Sequence, residues 1–473
     1  MTANTSQTQT QPRFIAVLDV GKTNVKVVLH DVASGEDVIS RSRPNAPQQD
    51  GPYPHADTEA IFDFAEASLA DIARSAPIDA ISITGHGACA ALLRHGELAL
   101  PILDYEYTGP EETAEAYDQI RPGFAETFSP RLPVGLNLGA QIFWQQRRLA
   151  ADFDRVTHIL TYPQYWAWRL CGVFASEATS LGCHTDLWAP MAGDFSPLVT
   201  TQNWRHLFPP VRRAFDCLGV LRPGLVRRLG LVHPIPVHCG IHDSNASLLP
   251  HLLDETAPFS VVSTGTWVIC FAVNGSLQHL DAARDTLANV DAFGRPVPSA
   301  RFMGGREFAL LQERNPGRPS LAEIDPAALA AVLRRQLMIA PGIIPGSGPF
   351  PQGRGHWHNE AGATPAEREI AAALYLALMT ETCLGLVGAA GPTMIEGPFA
   401  GNILYCEALA ALTGRPVKRC TGTTGTSSGA ALLAAGEAKR PQPHWSSIDP
   451  AKTSFDRNLL QTYAAIWRQA ADS

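Results

Sequence analysis

One order of elements occurs twice, and it constrains the fold more than any other feature. Phe14-Ile15-Ala16-Val17-Leu18 is a continuous apolar run, Asp19 to Asn24 a polar turn carrying Gly21, and Val25 to His30 a second run. Roughly half of the 473-residue chain later, Phe259-Ser260-Val261-Val262 precedes Ser263-Thr264-Gly265-Thr266, and Trp267 to Val273 resumes the apolar pattern. Continuous apolar runs mark buried strands, and two of them across a short polar turn make a hairpin. A strand follows each turn, so neither is a Walker loop, which needs GxxxxGK[ST] and a helix after it. The length admits two large domains, and the repeat reads as a weak internal duplication: two similar cores with a cleft between them.

Charge and composition narrow the function. The 37 basic and 45 acidic residues give a net charge of −8, which argues against a general grip on nucleic acid or anionic lipid. No apolar run approaches a membrane span of ~18 residues. The nine cysteines are scattered, with no CxxC pair. That pattern suits reduced thiols in a cytosol. Residues 1–13, rich in Thr, Gln and Asn, lack the pattern of a signal peptide and read as a disordered tail.

Helical spacing is expected over Thr58–Arg74, Gln141–Ala151, Tyr162–Leu170, Pro365–Leu386, Asn402–Thr413 and Gly425–Ala438, and a strand over Ile78–Thr84. Two further glycine turns, around 397–401 and 422–425, lead into helices. Helix N-termini and small polar turns offer backbone N–H groups to phosphate oxygens, so four such turns suggest an anionic ligand held between two domains.

Asp19, at the end of a buried strand, suits either hydrated Mg²⁺ or local turn N–H groups. Asp243 precedes an apolar helical run and suits either an N-cap or a general base for an attacking alcohol. His86, Asp104, Tyr105, Glu106 and Asn137 form a polar set able to hydrogen-bond sugar hydroxyls. Taken alone, each is more often a satisfied surface or core polar group. Neither a GxSxG elbow nor an HExxH motif is present, which lowers an esterase or zinc-protease reading.

In this order the motifs resemble those of the FGGY carbohydrate kinases, over about residues 14–440. Asp19-Val20-Gly21-Lys22-Thr23-Asn24 is similar to the first phosphate motif. Ser263-Thr264-Gly265-Thr266-Trp267 resembles the second, in the form closest to fuculokinases and rhamnulokinases. Ile241-His242-Asp243-Ser244 resembles the Gly-His-Asp-Thr that holds the catalytic base. Asn137-x-x-x-Gln141-x-x-Trp144 and Pro101 to Glu106 resemble the first-domain signature and the sugar-pocket segment, while 397–402 and 425–436 resemble the adenosine region. The chain departs from the pattern at Lys22 (usually Thr, Ser or Ala), Gln141 (Lys), Gly397-Pro398-Phe399 (three glycines) and Thr424 (often Glu).

The resemblance implies α/β architecture: two actin-like (ribonuclease H-like) domains with mixed sheets flanked by helices, over 14–247 and 258–440, with 441–473 as an extension. It implies an ATP-dependent sugar kinase acting on a primary hydroxyl of a ketose. Asp243 is the implied base, with His86, Glu106, Asn137 and His242 around the sugar. Gly21, Lys22, Thr23, Asn24, Thr264, Gly265, Thr266, Gly397, Gly401 and Asn402 are implied to surround the nucleotide, with Asp19 near Mg²⁺. The serine-containing second motif leans towards a 6-deoxyketohexose such as L-fuculose or L-rhamnulose. A pentulose kinase, a regulatory pseudokinase and a phosphohydrolase of phosphate chains are the rival readings. The implied partner is a small sugar, not nucleic acid or membrane; a homodimer stays open.

Overall fold

The computed structural model describes residues 12–319, 325–420, 425–436, 441 and 445–471. Residues 1–11 of the expected tail, Thr424 and residues 437–440 lie outside the described residues.

The first hairpin is the centre of a seven-stranded mixed sheet. Strand β1 (Phe14–Val20) pairs antiparallel with β2 (Asn24–Asp31), which pairs with β3 (Glu36–Pro44). On its other side β1 runs parallel to β4 (Ala80–Gly85), and beyond lie β5 (Cys217–Val220) and β6 (Pro236–His238). Covered on both faces, β1 is apolar almost throughout, as parallel-sheet strands are. The two-residue strand Ile241–His242 also pairs with β4, level with Thr84 and Gly85. Asp19 is level with Thr84 as well. Three segments therefore emerge at one sheet edge, delivering Asp19, His86 and Asp243 together. Ligand sites of such sheets sit at these carboxyl ends.

Helices cover this sheet and carry the connections. Helix α1 (Thr58–Ser75) starts on Asp57, whose carboxylate accepts from Ala60 N–H. Helix α2 spans Leu138–Arg148, and α3 spans Tyr162–Cys171. Pro163 is harmless because it stands in the first turn, where no N–H is needed. Helix α4 (Asp243–Asp254) leaves the sheet edge directly after His242.

The second sheet repeats the plan. Strand β7 (Phe259–Thr264) is antiparallel to β8 (Val268–Val273), and β9 (Thr286–Val290) and β10 (Pro296–Phe302) extend that side. On the other side lie parallel β11 (Thr393–Glu396) and β12 (Val417–Cys420). Each half thus has a central strand with an antiparallel hairpin partner on one flank and a parallel neighbour on the other. The duplication is visible in topology, and the actin-like pair of α/β domains is present. Helix α5 (Pro365–Leu386), fixed by a Thr364/Glu367 capping box, runs buried through the second core. It is long and apolar enough to cross a membrane but is a core helix here. Helix α6 (Ile403–Thr413) is capped by Asn402.

Two features depart from expectation. Helix α7 (Thr426–Ala435) follows the second sheet but crosses back, packing Ala430, Ala431 and Ala434 with Ile15, Val17 and Ala80 of the first sheet. Of the expected 441–473 extension, residues 445–471 pack on the second domain. Strand β13 (Trp445–Ile448) pairs with β12, and α8 (Arg457–Ala471) buries Tyr463 and Trp467 in the second core. Periodicity alone showed no partner for them; the Trp467 indole donates to Ile339 O at 2.7 Å, 128 residues away.

Helices α4 and α7 meet backbone to backbone. A Cβ on Gly429 would stand 1.8 Å from Ala246 O. Alanine gains up to about 1 kcal/mol of helix propensity over glycine, but overpacking typically costs about 1–3 kcal/mol. Here the obstacle is main chain and cannot rotate away. Gly429→Ala should therefore lower the thermal midpoint; a midpoint equal to or above the native one would contradict this contact.

Candidate active site

The two turns are built alike. Gly21 N–H donates to Asn24 O at 2.9 Å, and Gly265 N–H to Trp267 O at 2.9 Å. Asn45 clamps the first turn, donating its backbone N–H to Thr23 O and its side-chain amide to Gly21 O, both at 2.8 Å. The glycine N–H groups are thus used in closing the hairpins. Among the described residues, the N–H groups of Lys22, Thr23 and Thr266 at the tips have no protein acceptor. Thr23 and Asn24 are exposed, with the Asn24 amide on Thr23 Oγ1 at 3.1 Å.

Asp19 lies where β1, α4 and α7 converge. Burial pushes its carboxyl up to about 6, the negative charge of Asp243 adds to the rise, and Lys26 and a hydrogen bond from Ser427 oppose it. Two carboxylates from strands ending at one edge therefore face a common space. Asp243 occupies the first turn of α4, where the positive helix end favours an anion. Its Oδ1 accepts Ser244 N–H at 2.6 Å and lies 3.4 Å from His242 Nε2, and its side chain is 34% exposed. His86 lies beside them, with its ring centroid 4.7 Å from that of Tyr162 and 5.5 Å from Tyr105. Burial holds its imidazole below the usual range although the Asp243 charge pulls the other way.

Lys22 points to the sugar side. Its Nζ donates to Asp104 Oδ1, lies 3.3 Å from Glu106 Oε2, and sits 4.8 Å from the Tyr105 ring centroid. Lys22, His86, Asp104 and Tyr162 share a small cavity of about 30 Å³. The Lys22 ammonium is thus held by Asp104 and Glu106, while its backbone stays in the turn expected to meet the nucleotide.

Asn137, Gln141, Thr264 and Gly397 act as internal ties. Asn137 is fully buried. Its Oδ1 accepts from Leu132 N–H at 2.8 Å, and its amide donates to Pro130 O and His184 O, each at 3.0 Å. Nothing is left for a sugar hydroxyl, so the expectation of a sugar contact is corrected. Gln141 donates to Ala88 O at 2.6 Å and to Gly135 O. The Thr264 hydroxyl donates to Glu396 O at 2.5 Å and accepts Phe399 N–H at 3.0 Å. Gly397, at φ +80°, packs so closely that a Cβ would stand 2.0 Å from Thr264 O. Thr264 and Gly397 thus join the two turns of the second domain rather than exposing donors. Gly401 borders open space. Asn402 caps α6 with its oxygen, accepting Tyr405 N–H at 3.0 Å, while its buried Nδ2 has no protein partner. Ser427 was absent from the expected set; a serine two residues after Gly425 at a helix start was its signal.

Two family models account for almost the whole chain. The N-terminal domain of the FGGY family of carbohydrate kinases matches residues 14–250, and the FGGY carbohydrate kinase C-terminal domain matches 256–443. The chain belongs to the FGGY family of carbohydrate kinases. Among solved structures, a carbohydrate kinase from Novosphingobium aromaticivorans is 38% identical, with a TM-score of 0.88 over 98% of this chain and 99% of that one. A xylulose kinase from Rhodospirillum rubrum shares the fold at 18% identity, with a TM-score of 0.79 over 97% and 98%. An L-fuculokinase of Escherichia coli K12 is 28% identical over 271 residues, 54% of this chain and 55% of that relative. The chain thus spans about half the length of the curated relatives it matches.

Asp19 gives a signed test of this FGGY site. A carboxyl raised from 3.8 to about 6 on folding contributes stability that is full below its unfolded pKa and lost as pH rises through 6. At pH 8 the buried anion opposes folding. Asp19→Asn should stabilise the ligand-free protein at pH 8 by roughly 1–3 kcal/mol, and the gain should shrink towards pH 4. Urea unfolding at both pH values checks it; destabilisation at pH 8 would contradict the assigned environment.

Proposed function

We propose that the protein transfers the γ-phosphoryl group of ATP to a primary hydroxyl of a ketose, with a 6-deoxyketohexose such as L-fuculose or L-rhamnulose as the favoured acceptor. The observation that carries this reading is the meeting of Asp243 and Asp19 at one sheet edge, beside the first hairpin turn. The sugar preference is supported by the Ser263-Thr264-Gly265-Thr266-Trp267 form and by the partial likeness to an L-fuculokinase.

The donor set suits Mg²⁺. The Asp19 carboxyl is raised first by burial and then by the negative charge of Asp243, an environment that a divalent cation relieves. Among the described residues no group of three or more His, Cys, Asp or Glu is assembled for a metal. That agrees with an ion held by one or two carboxylates plus phosphate oxygens and water. Asp19 would hold it; when bound, it offsets the charge of the phosphates.

The chain's own groups do the rest. Asp243 Oδ1 is engaged by Ser244 N–H and faces His242, which leaves Oδ2 for the acceptor hydroxyl. That oxygen accepts the proton as the hydroxyl attacks phosphorus. The free N–H groups at the tips of the two turns, at Lys22, Thr23 and Thr266, stabilise the developing charge. His86, Asp104, Glu106 and the Lys22 ammonium supply hydrogen bonds to the sugar. Closure of the two domains excludes water, so that the sugar is the acceptor.

Loss of a general base typically costs about 10²–10⁴-fold in rate. Asp243→Asn should lower kcat for the preferred ketose by that order, leaving the sugar KM within a few-fold and the unfolding midpoint near native. A kcat near that of the native enzyme would contradict the role of Asp243.

A further inference from the structure

Beside Asp243 the two domains enclose a second cavity, of about 100 Å³. Cys183, His184 and His242 line it from the first domain, and Ile269, Phe271 and Asn289 from the second. Two polar atoms of its lining residues have no partner, His242 Nδ1 and Asn289 Oδ1, on residues only 4% and 5% exposed. The Asn289 amide nitrogen is already spent on Ser299 Oγ at 3.0 Å. Buried polar atoms left unpaired are costly, and both belong to residues of the cavity wall.

Cys183 and His242 lie around one point. A Cβ built on Gly87 would stand 2.8 Å from His242 Nε2 and 3.7 Å from Cys183 Sγ. Burial alone would raise the thiol, but the charges of His184 and His242 outweigh it and carry the thiol down to about 5. Burial likewise pulls His242 down, but Cys183 and Asp243, with Glu177 behind them, raise it to about 9. Arg301, which also lines the cavity, is paired with Asp285 at 2.9 Å. A thiolate is the reactive form of cysteine.

We propose that Cys183 is a modification site for small hydroperoxides, and that its oxidation to the sulfenic acid stops turnover. The thiolate sulfur attacks one peroxide oxygen. The S–O bond forms and the O–O bond breaks, and the departing hydroxide takes the proton of the His242 imidazolium and leaves as water. Sulfur is oxidised by two electrons and the peroxide is reduced. The new S–O–H shares the cavity wall with His184 and Asn289. Neutral His242 no longer faces Asp243 as a cation, and the added oxygen occupies space that both domains share on closure. The inactivation rests on the phosphotransfer reading; the labelling does not.

The test uses the full chain carrying Cys217→Ser, since Cys217 is exposed, with and without Cys183→Ala. Each protein is treated with hydrogen peroxide, trapped with dimedone, and mapped by peptide mass spectrometry. ADP release is measured before and after reduction by dithiothreitol. The expected result is one adduct on Cys183, loss of most activity, and recovery on reduction of untrapped protein. Cys183→Ala should take no adduct, and its activity, whatever its starting level, should not respond to peroxide. In the native chain, iodoacetamide should alkylate Cys183 at rates within about twofold between pH 6 and 8, whereas an ordinary thiol speeds up roughly 70-fold. No adduct at Cys183, or an ordinary pH profile there, would overturn the site even if the protein proved not to be a kinase. An adduct at Cys183 with unchanged ADP release would overturn its control of turnover. If Cys183→Ala fails to fold, the labelling and pH profile of the native chain decide.

Discussion

The site depends on a contact with no side chain in it. Gly429 of α7 lies against the main-chain oxygen of Ala246 on α4, and this lets a helix from the second half of the chain settle on the sheet of the first. The Ser247 and Thr426 hydroxyls, 3.3 Å apart, continue the same seam. Both helices then begin beside the end of β1. Asp243 opens one of them, and Ser427, which hydrogen-bonds Asp19, opens the other. The positive ends of two helices converge where carboxylates, and in the proposed reaction phosphates, gather.

That convergence sets up an electrostatic conflict which the ligand-free protein only partly relieves. Asp19 is buried, faces Asp243 and has Lys26 as its opposing cation. Lys22, the other cation of the turn, is held by Asp104 and Glu106 on the sugar side. A site of this kind is less stable than it would be with neutral residues, and in the proposed reaction a bound cation with its nucleotide offsets that charge. Stability given up at an active site is the usual relation between fold and function.

Much of the fold was legible because periodicity carries it. The twin hairpins, α5 and the placing of Asp19 and Asp243 at element ends all follow from apolar runs and the turns between them. The roles of the remaining polar residues were not legible. Asn137, Gln141 and Thr264 stand at element ends just as His86 and Asp243 do, and a polar residue there reads alike whether it meets a ligand or a carbonyl. What separates them is contact with chain far away in sequence, such as His184 O for Asn137 and Glu396 O for Thr264, 47 and 132 residues distant. Lys22 shows the same dependence: its backbone belongs to the turn, but its ammonium is paired with Asp104, 82 residues on. The packing of α7 and α8 is not legible because their partners, the first sheet for α7 and Leu337 and Ile339 for α8, lie far back in the chain.

The most direct test of the account is a phosphorus NMR spectrum of the native enzyme incubated with Mg²⁺, ATP and a panel of ketoses. The account predicts, for one ketose, a new phosphomonoester signal coupled to two protons of a CH₂ group, growing in step with ADP. Inorganic phosphate appearing without any sugar ester, or nucleotide left unchanged beside every sugar by a folded protein, would contradict it.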